Sequence, residues 1–194
     1  MMLLIFGLVL FLGIHSTRIV ADGWRSRQIA RLGAQRWKAL YSLCSLCALL
    51  LVIWGYGESR VAPIVVWQPP LWTRHLATLL MLVSFVLFAA VYVPGNRIKA
   101  AIGHPMVTAT AIWAFAHLFA NGHLGDLLLF ASFLIWAIAD FVAARRRDRG
   151  PPMVSAPPPT SPASDALTLV VGALAWVAFT WFVHAWLFAV APLG

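Results

Sequence analysis

Six long apolar stretches constrain what this chain can fold into more than any other feature. They lie at about 2–21, 38–57, 72–93, 105–121, 124–144 and 166–190. An α-helix of roughly 20 mostly apolar residues crosses a bilayer core, and it satisfies its own backbone hydrogen bonds there. Of all residues, 62% are apolar and only 10% are charged. The sequence therefore predicts an all-α, polytopic membrane bundle of about six transmembrane helices, forming a single domain over residues 1–194.

Turn-forming residues separate these stretches. Pro69-Pro70 precedes the third stretch, Pro94-Gly95-Asn96 follows it, and Asn121-Gly122 divides the fourth from the fifth, and such clusters typically mark turns and loops. The segment 150–165 is rich in Pro and Ser. We expect this segment to be an extended or disordered linker on the cytoplasmic side.

The distribution of cations predicts the orientation of the bundle. No charged side chain precedes the first apolar stretch and several cations follow it, a pattern that favours a retained helix over a cleaved signal peptide. The connections after stretches one, three and five carry 6, 2 and 4 Lys or Arg, which is 12 of the 14 in the chain. Because cytoplasmic loops are enriched in cations, we predict both termini on the outer, periplasmic side. The net charge of +8 then reflects topology, and it does not predict nucleic-acid binding.

The six histidines fall into two layers in this topology. His15 lies near the inner end of the first span, and His104 lies at the inner end of the fourth. The other four are expected in the outer half: His75, His117, His123 and His184. His104 and His117 cannot serve one centre, because thirteen residues of helix place them about 20 Å and about 140° apart. His15 and His104 share a predicted depth, so they either bind a metal or haem between them or form hydrogen bonds between helices.

Four motifs resemble the NnrU family of bacterial integral membrane proteins. They are GLVLFLGIHSTR at 7–18, WKALYSLCSL at 37–46, YVPGNRIKAAIGHPM at 92–106 and WAFAHLFANG at 113–122. The resemblance covers nearly the whole chain. It implies a multi-pass protein of the bacterial inner membrane, associated with nitrite and nitric oxide reduction and related to the 15-cis-ζ-carotene isomerases.

The resemblance also implies a cofactor, haem b. In the isomerase branch the axial histidines belong to motifs that His15-Ser16 and His104-Pro105 match, so these two histidines are the expected iron ligands. The Ala-His motif implicated in isomerase activity matches Ala116-His117, which makes His117 a candidate catalytic residue. One departure is Gly103, which stands where that branch has an arginine.

Cations at the same boundary could bind the haem propionates, since charge-assisted hydrogen bonds to carboxylates are strong. The candidates are Arg18, Arg97 and Lys99, which otherwise serve only as ordinary cytoplasmic cations. Bis-histidine ligation favours electron transfer or redox sensing. We expect His117 to line a separate space in the outer half, together with His184.

Three functional hypotheses follow. The first is a haem-bearing membrane protein that supports nitrogen-oxide reduction by electron transfer, sensing or maturation of a reductase, with a respiratory or nitrogen-oxide reductase as its partner. The second is a haem-dependent cis-trans isomerase of a carotenoid-like polyene. The third is an accessory subunit without a cofactor. Each of them places the chain in the lipid bilayer.

Overall fold

A computed structural model describes residues 1–149 and 159–193. Its helices follow in chain order: α1 (Met2–His15), α2 (Thr17–Val20), α3 (Asp22–Leu32), α4 (Ala34–Val61), α5 (Leu71–Tyr92), α6 (Arg97–Ile102), α7 (Pro105–Ala120), α8 (Leu124–Asp148), α9 (Pro162–Ala178) and α10 (His184–Phe188), with a π-helical turn at Phe179–Val183 joining the last two. Over these residues, 83% are helical and no β-strand occurs. The prediction of an all-α fold is therefore confirmed.

Four helical segments of the described residues are long and apolar enough to cross a membrane. They are α4, α5, α8 and the continuous segment Pro162–Phe188. Helices α1 and α7 are apolar too, but they have only 14 and 16 residues. The chain is therefore a membrane protein with at least these four candidate spans.

The first helix is shorter than the predicted stretch 2–21, because it ends at His15. The Ser16 hydroxyl donates to the Leu12 carbonyl at 2.7 Å, and the Thr17 hydroxyl donates to the Ile14 carbonyl at 2.9 Å. Hydroxyls that bond to the preceding turn compete with the backbone and often bend a helix. The chain continues as the short α2 and then the basic α3.

The last long helix begins earlier than predicted. Ser161 accepts a hydrogen bond from the Ser164 amide at 3.1 Å, and Pro162 occupies the first helical turn, two features that start helices. Residues 162–165, expected in the linker, are therefore helical. The rest of the predicted linker is non-helical at 159–161, and at 150–158 it lies outside the described residues.

The main helices pack side by side, each in contact with the next. Helix α4 packs against α1, α1 against α8, α8 against α7, α7 against α5, and α5 against α9. Helix α8 therefore stands between α1 and α7. Small residues bring two of these pairs close together: Gly7 and Gly55 lie in the α1–α4 contact, and Gly172 lies against Val86 of α5. Close approach at small residues is typical of helix pairs in membranes.

Hydrogen bonds order the connections at both ends of the bundle. At one end, the amides of Val66 and Leu124 donate to the carbonyls of Gly122 and Ile64, at 2.9 and 2.8 Å. At the other end, the buried Asn96 side chain donates to the carbonyls of Ala90 and Val93, at 2.9 and 2.5 Å, and accepts from the Lys99 amide at 2.6 Å. Asn96 thus begins α6, which leads directly to His104.

We expect Asn96→Ala to destabilise the protein by about 2–3 kcal/mol, because it removes a helix cap and leaves buried carbonyls unpaired. Thermal unfolding in detergent measures the loss. Asn121→Ala is the matched control, since Asn121 donates a single hydrogen bond, to the His117 carbonyl at 2.8 Å, and should cost about 1 kcal/mol. An equal loss in the two variants would contradict a special role for Asn96.

Candidate functional site

His15 ends α1 with its ring held in one orientation. Its Nδ1 lies 2.7 Å from the Phe11 carbonyl. Because a carbonyl only accepts, Nδ1 carries the proton and Nε2 keeps a lone pair. The ring packs against Phe11, Tyr41 and Trp136, with centroids 4.2, 5.5 and 6.1 Å away. His15 is thus a half-buried imidazole with one nitrogen available to a ligand.

Two buried polar atoms, on α8 and α4, have no hydrogen-bond partner among the described residues. They are Trp136 Nε1 and Ser45 Oγ. Trp136 contacts the His15 ring, and Ser45 lies one helical turn after Tyr41 on α4. Unpaired buried donors are rare and costly. The Trp136 indole can therefore donate a hydrogen bond, beside His15, to a group that the protein itself does not supply.

His104 is also held by an oxygen acceptor, but through its other nitrogen. It precedes α7, after Gly103 with φ of 76°. Its Nε2 lies 2.8 Å from Asp148 Oδ2, at the end of α8, and Arg145 lies 3.8 Å from the same oxygen. In the neutral imidazole this contact leaves the lone pair on Nδ1. No sequence motif marks Asp148, which stands among arginines 44 residues after His104.

The structure does not bring His15 and His104 into contact. Over residues 1–149 and 159–193, no hydrogen bond or ring contact joins them. His15 meets α8 at Trp136, whereas His104 meets it at Phe141 and Asp148. Five residues of helix separate Trp136 from Phe141, which is about 7.5 Å along the axis. Both histidines thus pack on α8, at different levels.

The three cations expected to bind the haem propionates lie in two different parts of the structure. Arg18 lines an open cavity of about 530 Å³ between the α2–α3 segment and α8. Arg97 pairs with Asp165 at 3.6 Å, and the Lys99 ammonium donates to the Val91 carbonyl at 3.0 Å. Arg97 and Lys99 therefore bind groups of α5 and α9, whereas Arg18 faces a cavity beside α8.

Apart from His15 and His104, His117 and His184 lie together and form what we call the second cluster. The ring centroids lie 6.5 Å apart and the planes differ by 22°. Each Nδ1 donates to a carbonyl, at 2.8 Å for His117 and 2.7 Å for His184, so each Nε2 keeps its lone pair. The π-helical turn Phe179–Val183 directly precedes His184, and such turns are frequent at functional sites. The structure thus brings these two histidines together.

A buried carboxylate lies at the same end of α8 as this second cluster. Asp126 is only 4% exposed. It accepts a hydrogen bond from the Tyr56 hydroxyl at 2.6 Å, and His123 Nδ1 lies 3.3 Å from its other oxygen. In the sequence, Asp126 is simply an acidic residue near the start of the fifth apolar stretch. Its depth could have drawn attention, because ionisable residues within membranes are rarely without a role.

The His, Cys, Asp and Glu side chains limit which metal ions or cofactors the chain can bind. In the part of the chain that the structure describes, no three His, Cys, Asp or Glu side chains are close enough to hold one metal ion. A closed zinc site, which needs four protein ligands, has no basis in these residues. Haem needs only one or two protein ligands, so the available nitrogens of His15 and His104 fit its chemistry.

Comparison with known proteins identifies the family. Comparison with curated proteins and with solved structures gives no match. A family model described as NnrU protein matches residues 3–192, a range that covers nearly the whole chain and includes His15, His104, His117 and His184. The chain therefore belongs to the NnrU family.

Proposed function

We propose that this membrane protein binds haem b and supports nitrite and nitric oxide reduction, by electron transfer, sensing or maturation of a reductase. The observation that carries the proposal is the state of His15 and His104: each has one ring nitrogen fixed by an oxygen acceptor and the other available. Such second partners orient histidine ligands and raise their basicity. Membership of the NnrU family supports the same assignment.

The residues of the chain would act as follows. His15 would present Nε2, and the Phe11 carbonyl would keep its ring in place. His104 would present Nδ1 while Asp148 accepts from Nε2. Joint ligation requires the two rings to approach each other beside α8, whereas ligation by His15 alone requires no such approach. A bound haem would supply one-electron chemistry and could bind nitric oxide.

The cations support this proposal unequally. Arg18 forms no ion pair with a carboxylate among the described residues and lines a cavity. Arg97 and Lys99 would have to exchange Asp165 and the Val91 carbonyl for propionates. Arg18 is therefore the best-placed of the three.

We further propose six spans in the bacterial inner membrane, with both termini periplasmic. Helix α1 and the following α2 reach from Met2 to Val20, and 19 residues at 1.5 Å each cover about 28 Å, close to the bilayer core. Helix α7 covers about 24 Å, and the adjoining Asn121–His123 connection lies at the membrane boundary. The 12 cations on one side support the orientation.

The absorption spectrum of purified protein tests the cofactor. Protein expressed with added haem precursor should show a Soret band that shifts on reduction. His15→Ala should lose most of that band, because it removes an iron ligand under either arrangement. His104→Ala should lose it when both histidines bind the iron and keep it when His15 binds alone. His117→Ala is the matched control, since its ring lies in the other cluster, and it should keep the band.

Two outcomes would redirect the proposal. No Soret band in any sample, despite folded protein and added haem, would leave an accessory subunit without a cofactor.

The second candidate is a haem-dependent isomerase. It is supported by the position of His117 against the rings of Trp113 and Phe130, where a polyene could pack. A change in the isomer ratio of an added polyene, abolished in His117→Ala, would favour it.

A further inference from the structure

An arginine-rich cavity opens where α2 and α3 meet the last part of α8. Its volume is about 530 Å³. Three arginines line it, Arg18, Arg146 and Arg147, and its remaining walls are mainly apolar: Ile19, Ala139, Val142 and Ala143. The cavity thus combines guanidinium groups with a hydrophobic surface.

The cavity carries a net positive charge. Asp22 also lines it, but this carboxylate lies 3.6 Å from Arg25. Asp140 lies 3.7 Å from Arg147 and offsets that charge. Arg18 and Arg146 form no ion pair within residues 1–149 and 159–193. Two guanidinium groups are therefore available to an anion.

An exposed apolar stripe leads from the membrane-spanning part of α8 to this cavity. Ile135, Ile138 and Val142 are 69%, 53% and 42% exposed. They lie three and four residues apart, so they share one face of the helix, and Arg146 continues the same face one turn later. From Ile135 to Arg146 the helix rises about 16 Å. An acyl chain could lie along this stripe with its headgroup at the arginines.

We propose that the cavity binds the headgroup of an anionic phospholipid, with one acyl chain along Ile135, Ile138 and Val142. Guanidinium groups bind phosphate oxygens with two parallel hydrogen bonds. The apolar walls continue into the stripe, which favours a lipid over free phosphate. The bound lipid would tie the α2–α3 segment to α8 just after His15. This inference shares Arg18 with the haem proposal, but it also stands on Arg146 and the apolar stripe, which the haem proposal does not use.

Lipid binding to delipidated protein in a mild detergent tests the site. Native mass spectrometry compares phosphatidylglycerol with phosphatidylcholine, and inorganic phosphate is added as a competitor. We expect phosphatidylglycerol to bind more tightly, and millimolar phosphate to leave it bound. In Arg18→Gln/Arg146→Gln the Kd for phosphatidylglycerol should rise at least tenfold, because each cation near an anionic lipid contributes about a fivefold factor in affinity.

Arg31→Gln/Arg36→Gln is the matched control. It removes the same charge at two exposed residues of α3 and α4 that do not line the cavity, and should change the Kd by less than about twofold. If the double variant does not fold, Arg146→Gln alone replaces it, because Arg146 is exposed. This single variant should raise the Kd for phosphatidylglycerol about fivefold. Equal affinity for the two lipids, equal effects in the two double variants, or displacement by phosphate would overturn the proposal. The Soret band of the same samples reports separately on haem.

Discussion

Gly55→Ala is expected to force α1 and α4 apart and to destabilise the protein by about 3 kcal/mol or more. A methyl group at this position would overlap the backbone nitrogen of Leu4, and its next neighbours are the Leu4 Cα and the Leu3 carbonyl carbon, at 2.6 and 2.7 Å. These are backbone atoms, so no side-chain rotation relieves the overlap, and overpacking of this kind costs about 1–3 kcal/mol or more. Thermal unfolding and size-exclusion chromatography in detergent measure the effect.

Gly57→Ala provides the control on the same helix. A methyl group there meets nothing within 4 Å, and alanine favours a helix over glycine by about 1 kcal/mol. This variant should therefore be as stable as the parent protein or slightly more stable. Gly7→Ala should repeat the loss from the other side, because its methyl would lie 2.7 Å from the Val52 nitrogen. Similar unfolding temperatures for Gly55→Ala and Gly57→Ala would rule out close α1–α4 packing.

The second large effect is expected at Asp126. Asp126→Ala removes a buried acceptor and leaves the Tyr56 hydroxyl and His123 without their partner. Breaking a buried, hydrogen-bonded charged group costs about 3–5 kcal/mol. We expect a large fall in the unfolding temperature, and a smaller fall in Asp126→Asn, whose amide oxygen still accepts from Tyr56.

Asp148→Ala is the matched comparison, because it too removes a carboxylate of α8 that pairs with a histidine. The side chains of Asp148 and His104 are 47% and 26% exposed, and exposed pairs contribute less than about 1 kcal/mol. The stability of Asp148→Ala should thus change little. If it fell as far as that of Asp126→Ala, the difference in burial would not govern these two pairs.

These two structural features position the candidate site. The close α1–α4 contact sets how α1 rotates, so it determines that His15 faces Tyr41 and Trp136. The Asp126 network fixes the end of α8 beside the second cluster, where Phe130 contacts the His117 ring. Damage at Gly55 should therefore disturb His15 as well as stability, whereas damage at Asp126 should first disturb the surroundings of His117.

The sequence by itself determined the class of the fold and the family. Backbone in lipid must be helical or part of a closed barrel, and unbroken apolar runs of about 20 residues fit a helix, whereas barrel strands are about half as long and alternate. The all-α membrane class therefore followed from composition and spacing alone. The ends of the helices were less predictable. Hydroxyl groups of Ser16 and Thr17 end α1 at His15, and a serine cap with a proline starts α9 at Pro162. These local hydrogen bonds give a weaker signal in the sequence than the long apolar runs do.

Only the tertiary structure decided which polar groups meet. Asp148 lies 44 residues after His104, and Asp126 lies 70 residues after Tyr56, so no local pattern pairs them. Their partners depend on how far each helix is rotated and shifted against its neighbours. The rotation and shift of each helix depend on close backbone contacts at residues such as Gly55 and Gly172. These contacts form only when two helices pack together.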